Sequence, residues 1–286
     1  MDRKERAKNS DMVAVLSSFG HDIVKKSGGR AWYLSPFRHE NAPSFVVNLN
    51  RNTWRDFGIG QGGDTIDFVI ESEKCSFFEA IDLILGDERK VIQHDKTKAP
   101  LKESGIDVID VKPLSNIYLI SYAQSRGISE AVLKEHCQEV SFVFKGWEHI
   151  ENTAIGFKNT KDGWELRSQS KKVGTSPKHW SMIRGESSGS CDVFEGFFDF
   201  LSHLQYHGMT KPLNDSFVLN STVFAEWVKP ELELYDSVNL YMDNDQPAQD
   251  KINEFFTGSR YNDCREVYSN FGDYNEFVMN QLLTEK

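Results

Sequence analysis

The sequence predicts an α+β module at the N-terminus, then an α/β domain whose parallel sheet is flanked by helices. Three observations carry this. Up to about residue 63 the apolar stretches are short and cut by Gly and Pro, and two helical patterns follow. Residues 86–112 are rich in charge and hold few large apolar side chains, the composition of a linker. From about residue 190, strand and helix patterns alternate to the C-terminus, which implies parallel strands covered by helices. A chain of 286 residues is long enough for two domains, or three small ones.

Taken in order, residues 10–27 read as a helix capped by Asp11 and stopped by Gly28-Gly29. Strands are expected at 31–34, 44–48 and 53–56, then a tight glycine loop at 58–63. Helices are expected at 64–73 and 76–85. Beyond the linker, the pattern gives helical turns at 118–126 and 129–137 and strands at 140–144, 154–158 and 164–168, with Lys161-Asp162-Gly163 as a hairpin turn. The alternating region gives strands at 193–195, 217–219, 238–243 and 264–268. Helices are expected at 197–206, 223–228, 246–256 and 274–283.

Composition narrows the function classes. No apolar run is long enough to span a membrane, and the charged start Met1-Asp2-Arg3-Lys4-Glu5-Arg6 has no apolar segment behind it, so a cytoplasmic location is expected. Cys75, Cys137, Cys191 and Cys264 form no Cys-x-x-Cys pair and are expected as buried free thiols. The net charge of −10 alone argues against nucleic acid, but it is unevenly spread. Residues 158–184 hold seven Lys/Arg against two Asp/Glu, and residues 185–286 hold six against eighteen. A basic strip ahead of an acidic centre suits phosphoryl transfer along a nucleic-acid track; a solvated hairpin is the alternative for the strip.

Glu195 ends one predicted strand, and Asp243 and Asp245 end another. Ligands of open α/β sheets collect at the carboxyl ends of strands. An Asp-x-Asp turn offers hard oxygen donors suited to Mg²⁺ or Mn²⁺, and Gly196 lets a ligand approach the backbone.

These words also carry a resemblance. Val193-Phe194-Glu195-Gly196-Phe197-Phe198-Asp199 and Asp243-Asn244-Asp245-Gln246-Pro247-Ala248 resemble the two acidic motifs of Toprim domains. Phe217-Val218-Leu219-Asn220-Ser221-Thr222 resembles the strand and small-residue turn between them. Phe271-Gly272-Asp273-Tyr274-Asn275-Glu276 resembles the segment that ends many primase-type Toprim domains, with glycine at 272 in place of the usual lysine. Leu34-Ser35-Pro36-Phe37-Arg38-His39-Glu40 and the words from Trp54 to Val69 resemble the N-terminal zinc ribbon of bacterial DNA primases. Gly156-Phe157-Lys158-Asn159, Trp164-Glu165-Leu166-Arg167 and Tyr122 with Arg126-Gly127-Ile128-Ser129 resemble the region between the two, in its phage and mobile-element form.

The resemblance implies an α+β N-terminal zinc-ribbon-like domain over residues 1–88, a linker over 89–112, a primase subdomain with the basic segment over 113–187, and an α/β Toprim catalytic domain over 188–286. It implies a DNA primase-like nucleotidyltransferase that makes short RNA primers on single-stranded DNA from nucleoside triphosphates. Glu195 is the implied acid/base, Asp243 and Asp245 the implied ligands of Mg²⁺ or Mn²⁺, and Asp199 and Asp273 support them from behind. Lys158, Arg167, Lys171, Lys172 and Lys178 are expected on template or nucleotide; Arg30, Arg38, Arg51 and Arg55 are expected on single-stranded DNA.

The four positions where the family carries zinc ligands read Ser35, Arg38, Asp56 and Ile59, with His39 one residue out of register. No zinc is expected, and Tyr33, Phe37, Phe45, Trp54, Phe57 and Phe68 are expected to hold the small sheet by apolar packing. No Gly-x-x-x-x-Gly-Lys-Ser/Thr run is present, so a separate helicase or relaxase is the expected partner. Two other readings stay open: a Toprim nuclease, and a non-catalytic single-stranded-DNA-binding mobilization or replication accessory protein.

Overall fold

The computed structural model describes residues 3–86, 104–187 and 189–284. The chain divides into two compact units, Met1–Lys96 and Thr97–Lys286.

In the first unit five strands form an antiparallel meander: β1 (Lys25–Ser27), β2 (Arg30–Tyr33), β3 (Phe45–Asn48), β4 (Thr53–Asp56) and β5 (Gln61–Gly63). Helices α1 (Arg3–Lys8), α2 (Met12–Ser18), α3 (Thr65–Glu73) and α4 (Phe77–Leu85) complete it. Asp64 and Ser76 start α3 and α4 with reciprocal capping boxes. The helix expected over 10–27 ends at Ser18, although Asp11 does cap it. The reason lies in Gly28 and Gly29, both at positive φ: they turn a β1–β2 hairpin rather than stop a helix.

Apolar packing in this unit is aromatic. Phe45 stacks on Trp54 at 5.1 Å, and Phe37, Phe68 and Tyr33 pack around them. Phe57, expected in that group, is 60% exposed and lies under the Arg55 guanidinium instead.

The second unit opens with β6 (Ile106–Pro113), helices α5 (Ile117–Ser125) and α6 (Glu130–His136), then β7 (Gln138–Phe144), β8 (Asn152–Lys158), β9 (Trp164–Arg167) and β10 (Lys172–Gly174). These strands form a second antiparallel sheet in the order β10-β9-β8-β7-β6. Residues 106–112 are therefore strand, not linker; residues 89–103 of that expectation lie outside the described residues. The charges of Ile106-Asp107-Val108-Ile109-Asp110-Val111-Lys112 suit an outer strand with solvated side chains, a composition easily read as loop.

The third sheet holds β11 (Ser181–Ile183), β12 (Ser190–Phe194), β13 (Asp215–Val218), β14 (Ser237–Tyr241) and β15 (Tyr261–Asp263), ordered β11-β13-β12-β14-β15. All pair in parallel except the edge strand β11. Helices α7 (Phe197–Tyr206), α8 (Ala225–Leu232), α9 (Gln246–Phe255) and α10 (Tyr274–Thr284) accompany it. The last strand is Tyr261–Asp263; the expected 264–268 stretch is mostly a 3-10 turn, Arg265–Tyr268.

The expected boundary at residue 188 is not a break between cores. Leu114, Ile120, Ile155 and Phe157 pack in one cluster with Phe194, Phe200, Leu201 and Val218. Phe194 sits at its centre, fully buried on the middle strand. Phe194→Ala is expected to cost about 3–5 kcal/mol in urea denaturation, and a loss well below that would mean the ring is not packed as described.

Candidate active site

Strand order creates the site. From β12 the chain runs through α7 to β13 on one side; from β14 it runs through α9 to β15 on the other. Adjacent parallel strands whose connections diverge leave a crevice beyond their carboxyl ends. Glu195 follows β12 and Asp243 lies just past β14, with Phe194 and Tyr241 level across the pair. The Asp243 amide donates to Glu195 Oε2 at 3.4 Å. The crevice is a cleft enclosing about 630 Å³ of space, its open mouth included. It is lined by Glu165, Glu195, Asp199, Asp243 and Asp273, with Arg126, Arg167 and Lys172.

Local sequence sets each carboxylate. Gly196 begins α7 and leaves room where a Cβ would stand 3.0 Å from the Asp199 carboxylate. In Asp243-Asn244-Asp245 the middle residue is an anchor: Asn244 donates to the carbonyls of Tyr268 and Phe271, and its amide to Gly272 O. Asp243 faces the cleft. Asp245 is exposed, caps α9 by accepting from the Ala248 amide at 2.9 Å, and does not line the cleft. Asp273 accepts from the Glu276 amide at the start of α10, while Glu276 accepts from Gly272.

Burial governs the electrostatics. It pushes the Glu195 carboxyl up to about 7, with Asp243 adding repulsion. It pushes Asp243 to about 6, with Asp273 and Asp245 adding to it. Asp199 is raised as well, by burial and then by Asp273 and Asp243. Among the described residues no three His, Cys, Asp or Glu side chains are grouped to hold a metal ion. Crowded, desolvated carboxylates still fit a divalent cation that uses one or two protein oxygens and otherwise keeps water or phosphate. Asp243 is the residue so placed, and Asp245, outside the cleft lining, is near enough to add to its upward shift.

The expected cationic residues separate. Arg167 and Lys172 line the cleft, and Lys178 is close enough to favour the charged form of Glu165. Lys171 lines a shallow depression with Trp147 and Ile150; Lys158 pairs with Asp162 at 2.8 Å. Arg30 and Arg55 stand exposed on the first unit's sheet. Arg38, expected on DNA, is held by Asp56 and Glu40.

Among the residues of the cleft that received no role from the sequence are Arg126, Glu165, Phe198 and Asn275. Glu165 is half-buried on β9 and raised to about 7 by desolvation. Arg126 donates from Nε to Asn275 Oδ1 at 2.7 Å. The buried Asn275 also donates to Ser202 Oγ and Arg126 O, and its amide donates to Asp199. The guanidinium groups of Arg126 and Arg167 lie 5.6 and 5.3 Å from the centre of the Phe198 ring, and Arg167 donates to the Tyr122 hydroxyl. All four stand inside motif words already quoted. Only their long-range contacts give them a place.

Comparison with known proteins bears on this architecture. Residues 4–100 match the family described as CHC2 zinc finger, and residues 108–176 match a domain of unknown function (DUF8464). The chain is 30% identical over 131 residues to the DNA primase of Helicobacter pylori, covering 43% of this chain and 23% of that protein. It is 31% identical over 156 residues to the DNA primase of Pasteurella multocida, covering 49% and 26%. The matches thus span about a quarter of those relatives' length. Among solved structures, the primase fragment of the bacteriophage T7 primase-helicase protein aligns with 84% of this chain and 90% of that one, at 12% identity and a TM-score of 0.41. The chain is similar to bacterial DNA primases.

The raised carboxyls set a pH dependence. A carboxyl raised on folding gives full stability below its ordinary value of 4.5 and loses it as pH climbs through the folded value of about 7. In chelator, Glu195→Gln is expected to melt roughly 3–6 °C above wild type at pH 8 and level with it at pH 4.5. Parallel melting curves at both pH values would show that Glu195 is not under this strain.

Proposed function

We propose that this chain is a DNA primase: a metal-dependent nucleotidyltransferase that joins ribonucleotides into short primers on single-stranded DNA. The observation that carries the reading is the meeting of Glu195 and Asp243 at the switch point of the parallel sheet, in one cleft with Arg126, Arg167 and Lys172. Similarity to the bacterial primases supports it. The finer assignment, a Toprim domain of the phage or mobile-element kind, rests on the motif words around Glu195 and Asp243.

In this reading Glu195, raised to about 7, takes the proton from the attacking hydroxyl as its oxygen bonds to the α-phosphate of the incoming nucleoside triphosphate and pyrophosphate leaves, since a base works best with a pKa near the working pH. Asp243, with Asp245 beside it, would hold Mg²⁺ or Mn²⁺, which would neutralise phosphate charge and acidify that hydroxyl. Arg126 and Arg167 are fixed before substrate arrives, by Asn275 and the Tyr122 hydroxyl, and bind the triphosphate. Lys172 adds charge at the cleft, and Lys178 carries the track outward. Asp199 and Asp273 hold the geometry behind Glu195. Lys158, Lys171, Arg30 and Arg55 are the outlying template contacts, and a separate helicase or relaxase supplies single-stranded template.

Labelled ribonucleotides on single-stranded circular DNA with Mg²⁺ or Mn²⁺ test this. Wild type is expected to make short oligonucleotides, and Glu195→Gln and Asp243→Asn to lose about 100-fold or more. Nicked template would establish a nuclease, and salt-dependent binding without synthesis an accessory protein. Arg167→Ala is expected to weaken template or nucleotide binding and lower the log–log salt slope by about 1. An unchanged slope would remove Arg167 from the phosphate path.

A further inference from the structure

The family matched by residues 4–100 is a zinc finger, and the four positions at which the resembled ribbon holds its metal are Ser35, Arg38, Asp56 and Ile59. The fold still brings them together. Asp56, with 0% exposure, accepts from Ser35 Oγ at 2.6 Å and from Arg38 Nη1 at 2.7 and 2.8 Å. Its Oδ1 also accepts from the amides of Gly58 and Ile59. The other guanidinium nitrogen, Nη2, donates to Glu40 Oε2 at 2.7 Å and Ser44 Oγ at 2.6 Å. Glu40 in turn accepts from the amides of Ser35 and Ser44.

This donor set does not fit zinc. Structural zinc takes four thiolate or imidazole ligands, with an occasional carboxylate; here there is one carboxylate, a neutral hydroxyl, an aliphatic side chain and a cation. A metal ion placed among them would lie against the Arg38 guanidinium, charge against like charge.

We propose that the Arg38 guanidinium performs the work that zinc does in the resembled ribbon, and that this module folds without metal. The planar fork joins the loop at residues 35–44 to the loop at residues 56–59, as a metal joins two ligand pairs. Both partner carboxylates are compensated by additional donors, which a buried ion pair requires in order to hold. Gly58 is an independent sign of the same centre. A Cβ there would stand 1.8 Å from Arg38 Nη2, at a backbone angle that does not itself demand glycine, so the residue leaves space for the guanidinium.

The test uses the full chain and reads metal and local stability, not catalysis. Wild type, expressed in zinc-replete medium and melted in buffer without Mg²⁺ or Mn²⁺, is expected to carry no stoichiometric zinc and to melt at the same temperature with or without chelator. One bound zinc per chain, or a melting point lowered by chelator, overturns the proposal. Arg38→Met is expected to lower the melting of the first unit by roughly 10–20 °C and to strip hydrogen-exchange protection from residues 35–59. Gly58→Ala is expected to lose protection over the same two loops. Arg38→Met with wild-type exchange there would show the guanidinium to be incidental.

Discussion

Beyond the carboxyl ends of β12 and β14, a half-buried glutamate and a half-buried aspartate share one desolvated wall, and neither can be fully ionised cheaply while the other is charged. The rest of the second unit is arranged around that constraint. The neighbouring helix α7 contributes Asp199, α10 contributes Asp273 and Asn275, and the antiparallel sheet contributes Arg167 and Lys172 as compensating charge. A protein kept for packing alone has no use for such a wall, because apolar side chains of similar size would fill the same space with less penalty. Such strain is a physical mark of a candidate functional site.

Much of this was legible in the chain itself. Val193-Phe194-Glu195-Gly196 announces a buried strand, its end and the following helix in consecutive residues, and α7 starts and stops where its 3.6-residue pattern says. Glu195 and Asp243 could be placed at one end of one sheet because parallel strands all present the same end. Asp245 could not be told apart from Asp243 by spacing, since capping a helix and facing a cleft both call for a carboxylate at the end of a turn. Arg126, Glu165 and Asn275 depend on partners far away in sequence, a relation that no local pattern encodes. The same holds for β6, whose charged residues hide a strand that only its pairing with β7 reveals.

The N-terminal unit teaches a related lesson. Aromatic packing was read correctly for five of its rings, but Phe57 stands outside, and a fully buried carboxylate, Asp56, pairs with Arg38 at positions first noticed for what they lack. The positions that carry no metal ligand leave no gap in this structure. A guanidinium with its own hydrogen-bonding geometry stands between the two loops, and Gly58 makes room for it.

Asn275 carries a consequence for how the molecule comes into being. Its partner Arg126 lies 149 residues earlier, and through Asn275 the Arg126 guanidinium, the Asp199 carboxylate and the Ser202 hydroxyl are all set. On a ribosome the basic side chains, the parallel strands and Glu195 all emerge before this residue does. The strands of the parallel sheet all precede Asn275 in sequence, so the cleft takes its full geometry only when α10 docks against α7.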